Sequence, residues 1–122
     1  MTSTRRAYAH DAIVRLAPGG DPDAIGGAVT VALCGHWEHE PPCPLAPHHT
    51  RATVVDDSVE VRILFAADPG EEARVRGLIE GALTSGRLTG PDGRASAWTV
   101  TSSAASPVRS DEADHAAGLV EH

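Results

Sequence analysis

Cys34, His36, His39, Cys43, His48 and His49 fall within sixteen consecutive residues, although the chain holds only two Cys and seven His in all. Thiolate and imidazole are the donors that zinc and copper(I) select. The spacing departs from the paired Cys-x2-Cys of zinc ribbons and fingers, so it is density that points to a metal. The expected ion is zinc. The expected shell is Cys34, His36 and Cys43 with one of His39, His48 or His49. Glu38 and Glu40 are available as acceptors for imidazole N–H groups. Pro41, Pro42, Pro44 and Pro47 restrict the segment and lower the entropy lost when ligands are gathered. Donors beyond four would leave room for an open position and hence for a metal enzyme.

Taken singly, each residue has a plainer reading. Cys34 would be a buried thiol at a helix end. His36 and His39 would be solvated groups near that helix C-terminus, which favours positive charge. His48 and His49 would be exposed loop residues, and Trp37 a packing anchor. A Cys34–Cys43 disulfide would close a short loop in an oxidising compartment.

The surrounding elements must position this segment. Residues 7–17 read as a first strand, broken by Pro18-Gly19-Gly20. Asp21-Pro22 is a helix start, with Asp as N-cap and Pro at the first turn. Ile25, Val29, Ala32 and Leu33 form the apolar stripe of that helix, and Gly35 stops it. Gly26-Gly27 weakens the helix but permits close packing against a sheet. Residues 36–50 hold four prolines, cannot be regular helix and make a poor central strand. Strands are expected over 51–55 and 59–66, joined by a turn at Asp56-Asp57-Ser58. In the second, Val59, Val61, Ile63 and Phe65 alternate with Glu60 and Arg62. Asp68-Pro69-Gly70-Glu71 repeats the helix start, with Glu71 at the capping-box position. Val75, Leu78, Ile79, Ala82 and Leu83 then make the buried stripe, and Gly86 ends it. A link through Gly93 leads to a last strand over 95–102. The tail from Ser103 is rich in Ala, Ser and acids, with room for a short helix near Asp111–Val120.

The order β-α-β-β-α-β predicts an α+β, ferredoxin-like sandwich: a four-stranded antiparallel sheet with two helices on one face. Residues 1–6 are expected to be a disordered N-terminus, 7–102 a single domain with its Cys/His loop at 34–50, and 103–122 a partly flexible tail. The open face of the sheet needs cover from the loop, the tail or a second copy of the chain, which makes a homodimer through that face an expectation. The topology resembles heavy-metal-associated metallochaperone domains and ACT-type regulatory domains at the level of fold alone. Metallochaperone domains carry Cys-x-x-Cys after the first strand, where this chain has Pro18-Gly-Gly-Asp-Pro-Asp23.

Composition narrows the function. The 122 residues carry 10 basic and 17 acidic side chains, a formal charge of −7. Every basic residue is Arg and only Arg5-Arg6 are adjacent, which argues against a nucleic-acid partner. No apolar run approaches the ~20 residues of a membrane span, and the N-terminus has no signal-peptide h-region, so a cytoplasmic location is expected. His10 is expected to be structural or solvated, and His115 and His122 incidental. The Pro18-Gly19-Gly20 turn resembles an anion site, but Asp21 and Asp23 oppose phosphate there. The leading expectation is a small metal-binding protein. The alternatives are a non-enzymatic dimerisation or small-ligand-sensing module, and an open-site metal enzyme.

Overall fold

The computed structural model describes residues 5–34, 46–90 and 93–121. Strand β1 (Arg6–Leu16) is followed by helix α1 (Asp23–Cys34), by the hairpin of β2 (His48–Val55) and β3 (Ser58–Ala67), and by helix α2 (Glu72–Ser85) behind a 3-10 turn at Pro69–Glu71. A short strand β4 (Arg87–Thr89), the long β5 (Ala95–Ser106), a 3-10 turn at Ser110–Glu112 and helix α3 (Ala113–Val120) complete the order. The sheet runs β2-β3-β1-β5-β4, with every pair antiparallel.

Several local signals act as the sequence predicts. The Asp21 carboxylate accepts the Asp23 N–H at 3.0 Å and so caps α1. Gly26 lies against β2: a Cβ there would stand 3.3 Å from the Cβ of Thr50. Gly86 ends α2 at φ 71, with no room for a Cβ, which would sit 2.7 Å from the Trp98 carbonyl oxygen. The capping box expected at Asp68 does not form. The Asp68 side chain makes no cap hydrogen bond, and its carbonyl instead accepts the Glu71 N–H at 2.8 Å in a 3-10 turn.

The inner face of the sheet packs on α1 and α2. Ile25, Val29 and Leu33 from α1 meet Val75, Ile79 and Leu83 from α2 over Val14, Val61, Ile63, Phe65 and Trp98. On β5 the register slips between Ile13 and Val14: Ile13 faces Ser102 but Val14 faces Val100. Thr101 is thus the extra residue of a bulge, and its hydroxyl donates to the Ile13 carbonyl at 3.0 Å. Bulges bend a strand and deepen its twist, which fits the curled, half-barrel sheet.

The four-stranded, two-helix ferredoxin-like arrangement is therefore corrected to five strands and three helices. The fifth strand, β4, has three residues, too few for alternation to show, and pairs with Ala95–Ala97 at the sheet edge. The third helix, α3, comes from the tail and lies on the face opposite α1 and α2. There Leu119 packs with Ala9, Leu64 and Ala66, flanked by Val108 and Val120. The sequence carries a trace of this cover. From Ile63 to Ala67 strand β3 is apolar without alternation and buried throughout, as a strand covered on both faces should be.

Candidate functional site: the cleft beneath the C-terminal helix

Register sets the floor of the site. Across β2, β3, β1 and β5, the second face of the sheet presents the rows His49–Leu64–Ala9–Ser106 and Arg51–Arg62–Asp11–Ala104. Arg51 and Arg62 stand directly opposite each other, a pairing of like charges that destabilises a bare sheet. Arg62 is neutralised from the other side. Its Nε donates to Glu112 Oε2 at 3.0 Å and its Nη2 to Glu112 Oε1 at 2.6 Å, a bidentate pair. Its Nη1 donates to Asp11 Oδ1 at 2.9 Å and to Ser106 Oγ at 2.6 Å. Nη2 also reaches the Pro107 carbonyl at 2.8 Å. These five bonds use all five guanidinium N–H donors, so Arg62 has none left for a ligand. The pair is buried, with both side chains 9% exposed. Hydrogen bonding to Arg62 outweighs burial and holds the Glu112 carboxyl down to about 2; the Arg109 N–H, 2.9 Å from Oε1, assists. Arg62 is correspondingly pushed up.

Helix α3 closes the other wall. Glu112 precedes it, and His115, three residues on, brings its ring to 4.6 Å from that of His49, tilted by 54°. Between them lies a cleft of about 140 Å³ lined by His49, Arg51, Arg62, Leu64, Asp111 and His115. It adjoins a shallower hollow of about 280 Å³ that shares Arg51 and Arg62 and extends over Asp11, Thr53 and Glu60. His49 is exposed; the partial desolvation it meets beside α3 lowers its pKa below the ordinary value, and the neighbouring His115 and Arg51 lower it further. Among the described residues Arg51 forms no ion pair.

Of the six candidate ligands, only His48 and His49 have side chains among the described residues. His36, His39, Cys43 and the side chain of Cys34 lie outside the described residues; the backbone of Cys34 ends α1. His48 and His49 are not loop residues but the first two of β2, and successive strand residues face opposite sides of a sheet. His48 turns to α1: its Nδ1 donates to the Ala46 carbonyl at 3.0 Å, which leaves Nε2 to accept the Thr30 hydroxyl at 3.0 Å. His49 turns to α3. A shell containing both is excluded by this divergence. Among the described residues no group of three or more His, Cys, Asp or Glu side chains is arranged to hold a metal ion. The expectation of a metal-binding, zinc-holding cluster is corrected for this part of the chain. His115, read as incidental in the sequence, is half of the imidazole pair.

A second polar cluster, around His10, lies on the inner face of the sheet. Its Nε2 stands 2.7 Å from Glu80 Oε1 and 2.8 Å from Ser103 Oγ. The Ser103 hydroxyl also donates to Glu80. On the other side of the ring, Arg76 Nη1 donates to Nδ1 at 3.1 Å, so the His10 proton sits on Nε2. Nucleophile activation needs the reverse: a serine donating to an unprotonated Nε2, and a carboxylate accepting from Nδ1. The group therefore ties β1, α2 and β5 together. The bond from Ser103 and the contact with His10 lower the Glu80 pKa against the opposing effect of burial.

Among the described residues no helix is long and apolar enough to cross a membrane. No protein-family model matches the sequence, and no curated protein matches it.

Proposed function

We propose that the protein is a non-enzymatic binding module that takes a small ligand in the cleft between α3 and the second face of the sheet. The observation that carries this reading is the convergence of His49, Arg51 and His115 on one cavity while Arg62 is fully engaged by its own chain. Concave sites with a few converging polar groups are where proteins hold small molecules. The cavity is well below the ~300 Å³ of a drug-sized site, so the ligand is a compact group or one end of a larger molecule. A fragment screen read by imidazole and amide chemical shifts should give saturable hits on His49, Arg51 and His115, and these should disappear in His115→Ala. Hits that map elsewhere, or none that saturate, overturn the reading.

The Cys/His segment supports a second reading, a zinc ion gathered by Cys34, His36, His39 and Cys43. One observation favours it. The Thr30–His48 contact brings the chain flanking the segment on the β2 side against α1 one helical turn before Cys34. Elemental analysis with a thiol count tests it: about one zinc per chain, lost together in Cys34→Ser and Cys43→Ser, is expected, and metal-free protein with two reactive thiols refutes it.

A further inference from the structure

We infer that the ligand of this cleft is a small tetrahedral oxyanion, a phosphate or sulfate group, gripped by His49, Arg51 and His115. The inference rests on the cleft reading above and adds the chemistry of its occupant. The three donors come from two elements facing each other, His49 and Arg51 from β2 and His115 from α3, with the imidazoles tilted by 54°. Such a non-coplanar set suits a tetrahedral group better than a planar one, and the volume of about 140 Å³ suits a group of that size.

The groups facing His49 are Arg51 on its own strand, Arg62 and Leu64 on β3, and Asp111, Glu112 and His115 from the C-terminal segment. Glu112 and Arg62 neutralise each other. Asp111 is the charge that opposes an anion, and it lies exposed at the rim. In the free protein desolvation lowers the His49 pKa, and the charges of His115 and Arg51 lower it further. An anion seated among the three reverses that sign and draws a proton onto His49, so binding and proton uptake are coupled. The affinity should then rise as pH falls through the His49 titration, by up to about tenfold per pH unit.

The test uses sodium sulfate, whose charge is constant near neutral pH, against sodium chloride at equal ionic strength, with His49 and His115 followed by imidazole NMR. Sulfate should give saturable shifts on both rings and raise the His49 titration midpoint, and chloride should do neither. Arg51 is exposed, so Arg51→Gln should fold and should weaken sulfate binding by roughly five- to tenfold, the loss of one charge-assisted contact. Asp111→Asn should strengthen it. Equal effects of sulfate and chloride, an unmoved His49 midpoint, or unchanged binding in Arg51→Gln overturn the inference. If neutral or cationic fragments saturate the cleft while sulfate does not, the cleft reading survives and the oxyanion falls. If nothing saturates there, both fall.

Discussion

Replacing Glu112 by Gln removes one charge and keeps the shape, which isolates what the ion pair with Arg62 does. In the native protein a carboxyl that ionises at about 2 instead of its ordinary 4.5 reflects roughly 3 kcal/mol of preferential stabilisation at neutral pH. The variant keeps one acceptor oxygen for the guanidinium, and Asp11, Ser106 and Pro107 keep their bonds. The expected loss is therefore about 2–3 kcal/mol, at the lower edge of that for breaking a buried pair. For a chain of this size that lowers Tm by roughly 10 °C. The pH dependence separates this from a packing defect. The folded pKa lies below the unfolded one, so the stabilisation is complete above about pH 4.5 and is lost as pH falls towards 2. Urea denaturation of the two proteins should give a gap of about 2–3 kcal/mol at pH 7 that narrows progressively below pH 4.5. A gap under about 0.5 kcal/mol at pH 7, or one that persists unchanged at pH 3, refutes the assignment of Glu112 as an ionised buried partner.

Three further substitutions probe the frame. Among the described residues the Thr50 hydroxyl is buried without a hydrogen-bond partner, so Thr50→Val should stabilise the fold by about 1 kcal/mol; a loss of stability by denaturant titration would mean that the hydroxyl is satisfied. Gly86→Ala forces a side chain into a left-handed conformation and against the Trp98 carbonyl, and should cost about 2 kcal/mol or more; calorimetry showing a neutral effect would contradict that geometry. Leu119→Ala removes the main apolar anchor of α3 and should cost about 2 kcal/mol. By hydrogen exchange, protection should be lost in α3 before α2, and simultaneous loss would show that the two unfold as one unit.

What the sequence reveals of this molecule depends on the range of each signal. Local devices are legible: Asp21 caps α1, Gly86 ends α2, and the Val59–Phe65 alternation finds the inner face. The first five elements come in the expected β-α-β-β-α order, and the helix stripes reach the core except that Ala32 and Leu78 are only partly buried; the short β4 and the covering helix α3 lie outside the expected β-α-β-β-α-β fold. The site is less legible because its members are far apart in sequence. Arg62 meets Glu112 across fifty residues, and no pattern within either segment announces the pairing. The prolines that crowd residues 41–47 point to a loop at His49, yet the strand already begins at His48. That shift of three residues changes the argument, since a strand sends His48 and His49 to opposite faces where a loop could turn both to one ion. The uninterrupted apolar run of β3 was the available hint that the tail returns to cover the sheet.

The tail is held down in a way that also sets the chemistry of the cleft. Helix α3 has eight residues, too few to be stable alone, and its apolar anchor is a small cluster around Leu119. Apolar contact of that extent favours coverage of the sheet but specifies orientation weakly. The bidentate Arg62–Glu112 pair supplies the orientation, because a guanidinium fork accepts a carboxylate in few geometries. Glu112 and His115 are three residues apart and hence on one side of the helical turn, so the pair that fixes Glu112 also fixes the ring facing His49. It has a second effect on the field there. With Glu112 and Asp11 neutralising Arg62, the remaining fixed positive charge near His49 is that of Arg51, two residues along the same strand. An apolar substitute for the pair would cover Leu64 and Ala66, but it would leave neither the imidazoles in register nor the cleft polar enough to hold an ion.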